Sequence, residues 1–518
     1  VQPLFRRLPW PEILILLLAA VLRFAALDLK PPHFDEGVNG WFADRMSETG
    51  FYKYDPTNYH GPLHMYAVFA AQKLLGREAW AIRLPVVLVS LACVWLTLRF
   101  GRFLGTHAAR WAALAMAVSP CATFYGRYSI HETWLLAFLL LTAWGILELW
   151  KNGSRPGVFA LAGGVAGMIL TKETYFIHLG CFALAVPPLL AWQAISPSRP
   201  ALRLARRQWQ TTDFLTATGL AVFAIVLFYS GTFMNWSGVK GLYETYAAWS
   251  RTGMDEHGHT KVAFDWLTIP LGSGKKVIIN GYFLDLMRLY EWPALLGLAA
   301  CVRLLWPAPA QIRYLAIYGT GALLAYSIIP YKTPWLLLAM VWPFWFTFGA
   351  LMEEFRRLPA VAFAGATVIA VSIVMSVKLN FVDYDNPLQP YVYVQTHRSV
   401  AKLVDPVLER ARKDPGARHM FMAFHLDSYY PLPWIFGDFP NASYPGYPPQ
   451  STILADVIAA ERSKARDVER HLNGRYVRRE FRLRDAQEDC VAWFRARIFA
   501  DQMPGEPIVG PPDKEESQ

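Results

Sequence analysis

The chain has 518 residues, 54% of them hydrophobic and only 17% charged, with a mean hydropathy of +0.22, a balance that excludes an ordinary soluble globular protein and predicts a membrane protein. Its formal net charge of +10 does not call for nucleic acid, because most of the excess arginine sits in short loops between apolar segments, where membrane topology accounts for it. Cys93, Cys121, Cys181 and Cys301 lie in or near apolar segments and Cys490 stands alone in a polar region, without metal-site or redox-motif spacing.

The first apolar run, about Pro11 to Leu27, follows Arg6 and Arg7 and lacks a small-residue cleavage site, which predicts a retained transmembrane helix that starts in the cytoplasm. HFDEGVNGW comes next, with Asp35 and Glu36 adjacent. Two neighbouring carboxylates repel, so both stay charged only beside a cation, a metal or a positively charged substrate, and otherwise one is protonated. Leu63 to Leu75 is apolar but short, carries His64, Gln72 and Lys73, and reads as an interfacial or re-entrant helix. Further helix-length apolar segments fall at about 80 to 99, 110 to 124, 133 to 150, 157 to 171, 174 to 192, 214 to 233, 284 to 302, 313 to 329, 335 to 351 and 359 to 378, which makes about eleven transmembrane helices.

With that count, alternate loops carry Arg99, Arg102 and Arg110; Lys151 and Arg155; Arg199, Arg203, Arg206 and Arg207; Arg303 and Arg313; and Arg356 and Arg357, the pattern of cytoplasmic loops. The remaining segments then share the outer face: His33 to His60, Arg127 to Glu132, Thr171 to Thr174, a long loop from about Asn235 to Tyr282, and Tyr331 to Trp335. Beyond Asn380 the composition is that of a soluble domain. MFMAFH and ADVIAA read as buried strands and RSVAKLVDPVLERARK as an amphipathic helix, so a small extracytoplasmic α/β domain is predicted over 381–505. Residues 506–518 read as a disordered tail.

Several polar residues stand out at membrane depth. Arg127 and Glu132 are either an ion pair closing a helix end or a carboxylate in catalysis or metal binding beside a phosphate-binding arginine. Lys172, followed by Glu173, is either a snorkelling lysine or one that faces a lipid phosphate. Lys332, between Pro330 and Pro334, is held on a rigid turn that suits a binding group. His60 is either a structural hydrogen-bonding residue or a ligand, and MDEHGH, from Met254 to His259, is either a solvated loop or a divalent-cation site.

Taken together, the Asp35-Glu36 pair, the His60-Gly61-Pro62-Leu63 element, Arg127-Tyr128 followed by Glu132, and Thr171-Lys172 resemble the polyprenyl-phosphate-dependent glycosyltransferases with the GT-C fold. These include the protein O-mannosyltransferases, the aminoarabinose transferase of lipid A and a flippase-associated branch, of which PYKTPWLL and YYPLPW look typical. The resemblance covers about residues 1–380. It implies an all-α polytopic, GT-C-like membrane domain over 1–380, with Asp35 as catalytic base and Glu36 as its acidic neighbour. It also implies that His60 and Pro62 match a His-Pro-Pro element in which Gly61 replaces the first proline, that Glu132 stands for a more usual Asp, and that Lys172 lies near the lipid phosphate.

The expected reaction is inverting transfer of a hexose or pentose from a polyprenyl-phosphate-linked donor, held among membrane lipids, to an extracytoplasmic protein, lipid or glycan. Asp35, Glu36 and Glu132 are the catalytic candidates, and His60, Arg127, Lys172 and Lys332 the substrate-binding ones. Charge for the leaving phosphate comes from Arg127, Lys172 or Lys332, or from a divalent metal held by Asp35, Glu132 or His60. No other cofactor is expected. The rival reading is a protein that binds lipid-linked sugar, or accompanies a flippase, without chemistry.

Overall fold

The computed structural model describes residues 9–195, 204–254, 265–272, 275–304, 308–448, 451–484 and 487–512. The chain forms two compact units, Val1–Leu27 with Thr49–Tyr384, and Asp28–Glu48 with Asp385–Gln518. The sequence reading ended the membrane domain at 380 and kept the Asp35 segment inside it; the second unit instead begins at Asp385 and takes in residues 28–48.

In chain order the helices are α1 (Trp10–Phe24), α2 (Phe34–Thr49, mostly in the second unit), α3 (Leu63–Leu75), α4 (Ala79–Arg99), α5 (Gly101–Leu104), α6 (Thr106–Val118), α7 (Pro120–Tyr125), α8 (Glu132–Asn152), α9 (Arg155–Ile169), α10 (Tyr175–Leu184), α11 (Val186–Ile195), α12 (Thr211–Tyr229) and α13 (Ser237–Met254). After a hairpin of β1 (Asp265–Gly272) and β2 (Lys275–Asn280) come α14 (Tyr282–Tyr290), α15 (Trp292–Leu304), α16 (Ala310–Ile328), α17 (Leu337–Glu354) and α18 (Pro359–Val377). The expected long outer loop therefore contains a helix and a hairpin, while Asp255 to His259 of MDEHGH lie outside the described residues.

Among the described residues six helical stretches are long and apolar enough to cross a membrane: Ala79–Leu104, Glu132–Asn152, Tyr175–Ile195, Thr211–Tyr229, Pro334–Glu354 and Pro359–Val382. The sequence reading put about eleven segments in this class. The others are helical but shorter, except α16, which has the length but is made less apolar by Gln311, Arg313 and three tyrosines. At 1.5 Å per residue, α1, α6 and α9 reach only about 20–23 Å, against the ~30 Å of a bilayer core. The segment expected at 284–302 breaks at Glu291, whose carboxylate accepts hydrogen bonds from Ser119 Oγ (2.7 Å) and Cys121 N (2.8 Å) at the start of α7.

Ion pairs sort the helix ends of this unit. Arg110 reaches Glu12 at the start of α1 (3.3 Å), Arg102 reaches Glu148 at the end of α8 (3.2 Å), and Arg155 reaches Asp213 at the start of α12 (2.7 Å). The basic loops that carry Arg102, Arg110 and Arg155 are thus gathered at one end of the bundle. At the opposite end Arg83, near the start of α4, donates to Leu27 O beyond α1 (2.7 Å), and the start of α3 is bonded to the end of α9 through Leu63 N and Leu170 O (3.0 Å). α3 begins at this end and α4 departs from it a few residues later, so α3 does not carry the chain across.

The second unit is built on a six-stranded mixed sheet, order β4-β3-β5-β7-β6-β8, from β3 (Met422–His425), β4 (Ala442–Ser443), β5 (Val457–Glu461), β6 (Tyr476–Phe481), β7 (Cys490–Arg495) and β8 (Ile508–Val509). Alternation along β5 sends Val457 and Ala459 into one core, with Leu403 and Val407 of α19 (Ala401–Lys413), and Ile458 and Ala460 into another, with Val468. MFMAFH and ADVIAA supply β3 and β5, and RSVAKLVDPVLERARK supplies α19. Residues 506–518 were expected to be a disordered tail, yet Ile508 and Val509 close the free edge of β6 as β8; residues 513–518 lie outside the described residues.

Candidate functional site

The candidate residues lie in both units: Asp35 and Glu36 in the second, and His60, Arg127, Glu132, Lys172 and Lys332 in the first. Asp35 and Glu36 occupy the first turn of α2, where the positive end of the helix dipole eases the crowding of two acids. Their side chains have different surroundings. Glu36 is fully buried and its Oε2 accepts the His33 backbone N–H (2.9 Å), closing the helix start much as a capping box does. The Asp35 side chain is 41% exposed, with Oδ2 3.7 Å from His33 Nδ1. Asp35 is therefore the acid a substrate can reach, and Glu36 is the one that fixes the turn.

In the first unit the decisive feature is the junction between α9 and α10. Gly61 N–H donates to Thr171 O (3.1 Å) as Leu63 N–H does to Leu170 O, which lays the His60-Gly61-Pro62 element against the Thr171-Lys172-Glu173 segment. A Cβ at position 61 would stand 2.2 Å from the Leu170 carbonyl carbon. This explains the departure from His-Pro-Pro: the position needs both an N–H and the absence of a side chain.

That contact brings four charged or titratable groups together. Lys172, 3% exposed, is ion-paired through Nζ with Glu132 Oε1, and His60 Nδ1 meets Glu173 Oε2 at 2.8 Å. Lys172 is thus an interior ammonium and not a snorkelling one. Burial works against its charge, but Glu132 and then Glu173 outweigh burial and hold its pKa above the ordinary lysine value. Burial likewise opposes charge on Glu173, yet the His60 contact and Lys172 hold its pKa below the usual glutamate value. Behind His60 lie His131 and His64, each ring centroid 4.6 Å from the next, and Ser129 Oγ is 3.4 Å from His64 Nε2. Sequence reading did not select His131, His64 or Glu173 as site residues; adjacency of His131 to Glu132 and of Glu173 to Lys172 was the available signal.

Two candidates are placed elsewhere. Arg127 does not pair with Glu132. Its Nη1 donates to Leu22 O (3.0 Å), Arg23 O (3.0 Å) and Ala25 O (2.7 Å), and its Nη2 to Ala26 O (2.9 Å), so it satisfies the carbonyl end of α1. Lys332 does the same for α16: Nζ donates to the carbonyls of Tyr326 (2.8 Å), Ser327 (3.3 Å) and Ile329. Burial pushes the Lys332 ammonium down to about 8. Its three donors are directed at helix carbonyls.

Among the described residues no group of three or more His, Cys, Asp or Glu side chains is arranged to hold a metal ion. Of the three metal candidates, Glu132 has Lys172 as its cation, His60 is engaged by Glu173, and Asp35 belongs to the other unit.

Residues 59–229 match the sequence profile of the dolichyl-phosphate-mannose-protein mannosyltransferase family. No curated protein matches the chain by sequence. The fold is shared with ArnT from Cupriavidus metallidurans, a GT-C glycosyltransferase. Its apo crystal structure aligns with a TM-score of 0.56 at 13% identity over 93% of this chain and 97% of that one. The structure of ArnT bound to undecaprenyl phosphate aligns with a TM-score of 0.58 at 14% identity, with the same coverage. The Archaeoglobus fulgidus oligosaccharyltransferase tethered to an acceptor peptide aligns at 0.46 and 11% identity, over 91% of this chain and 68% of that one. The resemblance to GT-C enzymes read from the motifs thus extends to the fold.

Proposed function

We propose that the protein is a membrane glycosyltransferase that moves a sugar from a polyprenyl-phosphate-linked donor to an extracytoplasmic acceptor, with inversion. The observation that carries this reading is the interior Lys172–Glu132 and His60–Glu173 junction, which lies within the matched residues 59–229 on a GT-C fold. The ligand printed for the ArnT neighbour, undecaprenyl phosphate, is a polyprenyl phosphate of the class proposed as donor carrier. An apolar recess of about 400 Å³, lined by Leu149, Val158, Leu161, Ile169, Phe214 and Ile225, begins three residues before Lys172 and suits an isoprenoid chain.

In this mechanism the acceptor hydroxyl or amine attacks the anomeric carbon while Asp35 takes its proton. The bond from that carbon to the phosphate oxygen breaks, and the electron pair leaves with polyprenyl phosphate. We assign neutralisation of the leaving phosphate to Lys172, exchanging part of its pairing with Glu132, and to His60, donating to a phosphate oxygen. A phosphate leaving group needs no strong general acid, and one base suffices.

The test is transfer by purified, reconstituted protein given polyprenyl-phosphate sugars. Asp35→Asn is expected to abolish turnover and leave donor binding intact; turnover at the wild-type rate would remove Asp35 as base. Donor binding without transfer by the wild type, across sugars and acceptors, would favour the non-enzymatic lipid-linked-sugar binder.

A further inference from the structure

We propose that the sheet-bearing unit is the seat that holds the acid-bearing helix in working geometry, with Arg484 as the positioning residue for Asp35. The inference rests on the reading of Asp35 as the base.

The stretch around Asp35 is fastened to residues far along the chain. Gln395 Nε2 donates to Pro31 O (2.9 Å), and His33 Nε2 lies 2.9 Å from Tyr393 O. His33 Nδ1 accepts the Asp35 backbone N–H (3.1 Å), so the ring carries its hydrogen on Nε2 and clamps the chain on both sides. One face of α2 is bare where YYPLPW lies: a Cβ at Gly37 would stand 2.4 Å from Pro431 Cα, and one at Gly40 would stand 2.4 Å from Trp434 Cδ1.

Arg484 is the centre of this arrangement. It is 3% exposed, its guanidinium lies 5.0 Å from the centroid of Phe34, and Tyr430 meets the same ring edge-on at 5.5 Å. Nη1 donates to Tyr430 O, and Nη2 donates to Ser428 O (2.8 Å) and Ser428 Oγ (2.6 Å). One buried cation therefore joins the strand-following segment 482–484, the turn before Pro431, and the aromatic ring that immediately precedes Asp35. Burial pushes Arg484 down to about 10, against which Cys490 and then Asp35 hold it up.

The experiment uses the full-length reconstituted protein with Arg484→Gln, Arg484→Lys and Asp35→Asn. Arg484→Gln is expected to lower kcat at least about tenfold with donor KM unchanged, because the helix start that carries the base loses its anchor while the donor site is untouched. Arg484→Lys keeps the charge but not the planar fork that joins Tyr430 and Ser428, so kcat is expected to fall here too with donor KM unchanged. If Arg484→Gln does not fold, Arg484→Lys at wild-type kcat overturns the proposal. Folded Arg484→Gln with wild-type kcat also overturns it, even while Asp35→Asn is inactive. An active Asp35→Asn overturns the underlying reading of the base, and the proposal with it.

Discussion

Lys172 and Glu132 form a buried ion pair, and the proposed function gives Lys172 a second duty at the donor phosphate. Removing one partner of a buried ion pair leaves the other uncompensated, at a cost of about 3–5 kcal/mol. Lys172→Ala is therefore expected to lower both thermal stability and donor affinity. The double variant Lys172→Ala with Glu132→Ala should recover much of the stability while donor affinity stays at least about tenfold down, about 1.4 kcal/mol, in a lipid-phosphate binding assay. Recovery of both would reduce Lys172 to a structural role. Glu173 carries a pH dependence of definite sign. Its pKa is lowered on folding, so its contribution is present above the ordinary glutamate pKa of 4.5 and is lost as pH falls through the folded value. Melting curves should show acid destabilisation below the ordinary carboxylate range, flattened in Glu173→Gln. Lys172 was legible as special because charge at membrane depth is expensive, and Asp35 because two adjacent acids repel. The difference between Asp35 and its neighbour was not, since it depends on which carboxylate turns inward to the His33 amide.

At the scale of elements, two of the predicted ligands are helix terminators. Lys332 satisfies the last carbonyls of α16 and Arg127 those of α1, a duty that sequence could not separate from phosphate binding because both ask for a buried cation beside a turn. Lys332→Met is expected to lower the melting temperature while leaving donor affinity within about twofold, as uncapping a helix costs order-one kcal/mol and moves no ligand. A tenfold loss of affinity in folded protein would return Lys332 to the binding group. α2 makes the complementary point. Gly37 and Gly40 lie inside this helix, where Pro431 and Trp434 take the space that side chains would fill. Gly40→Ala is expected to destabilise by about 1–3 kcal/mol through overpacking, and Trp434→Leu in the same chain should return part of that loss. Equal effects of Gly40→Ala in both backgrounds would show that the close approach is not the cause.

For the whole molecule, the ion pairs of Arg110, Arg102 and Arg155 put those three basic loops at one end of the first unit, and the His60–Lys172 junction lies at the other. The five cysteines are all buried, so introduced cysteines can report sidedness with little background. With a membrane-impermeant thiol reagent, Lys53→Cys is expected to be labelled from the extracytoplasmic side and Lys151→Cys only after permeabilisation. Labelling of both from one side would undo the alternation of helices. The sequence by itself determined that the chain is a helical membrane protein with a soluble C-terminal part, because hydropathy and the strand and helix periods of MFMAFH, ADVIAA and α19 are local properties of the chain. It also singled out Asp35, Glu132 and Lys172, since such residues are rare amid apolar segments. Only the tertiary structure decided their partners. The acid helix joins residues after Asp385, Lys172 finds Glu132 forty positions away, and Gly61 admits the Leu170 backbone. Such choices follow from close packing and from the need of every buried charge for a counterpart, and neither is written in any one segment.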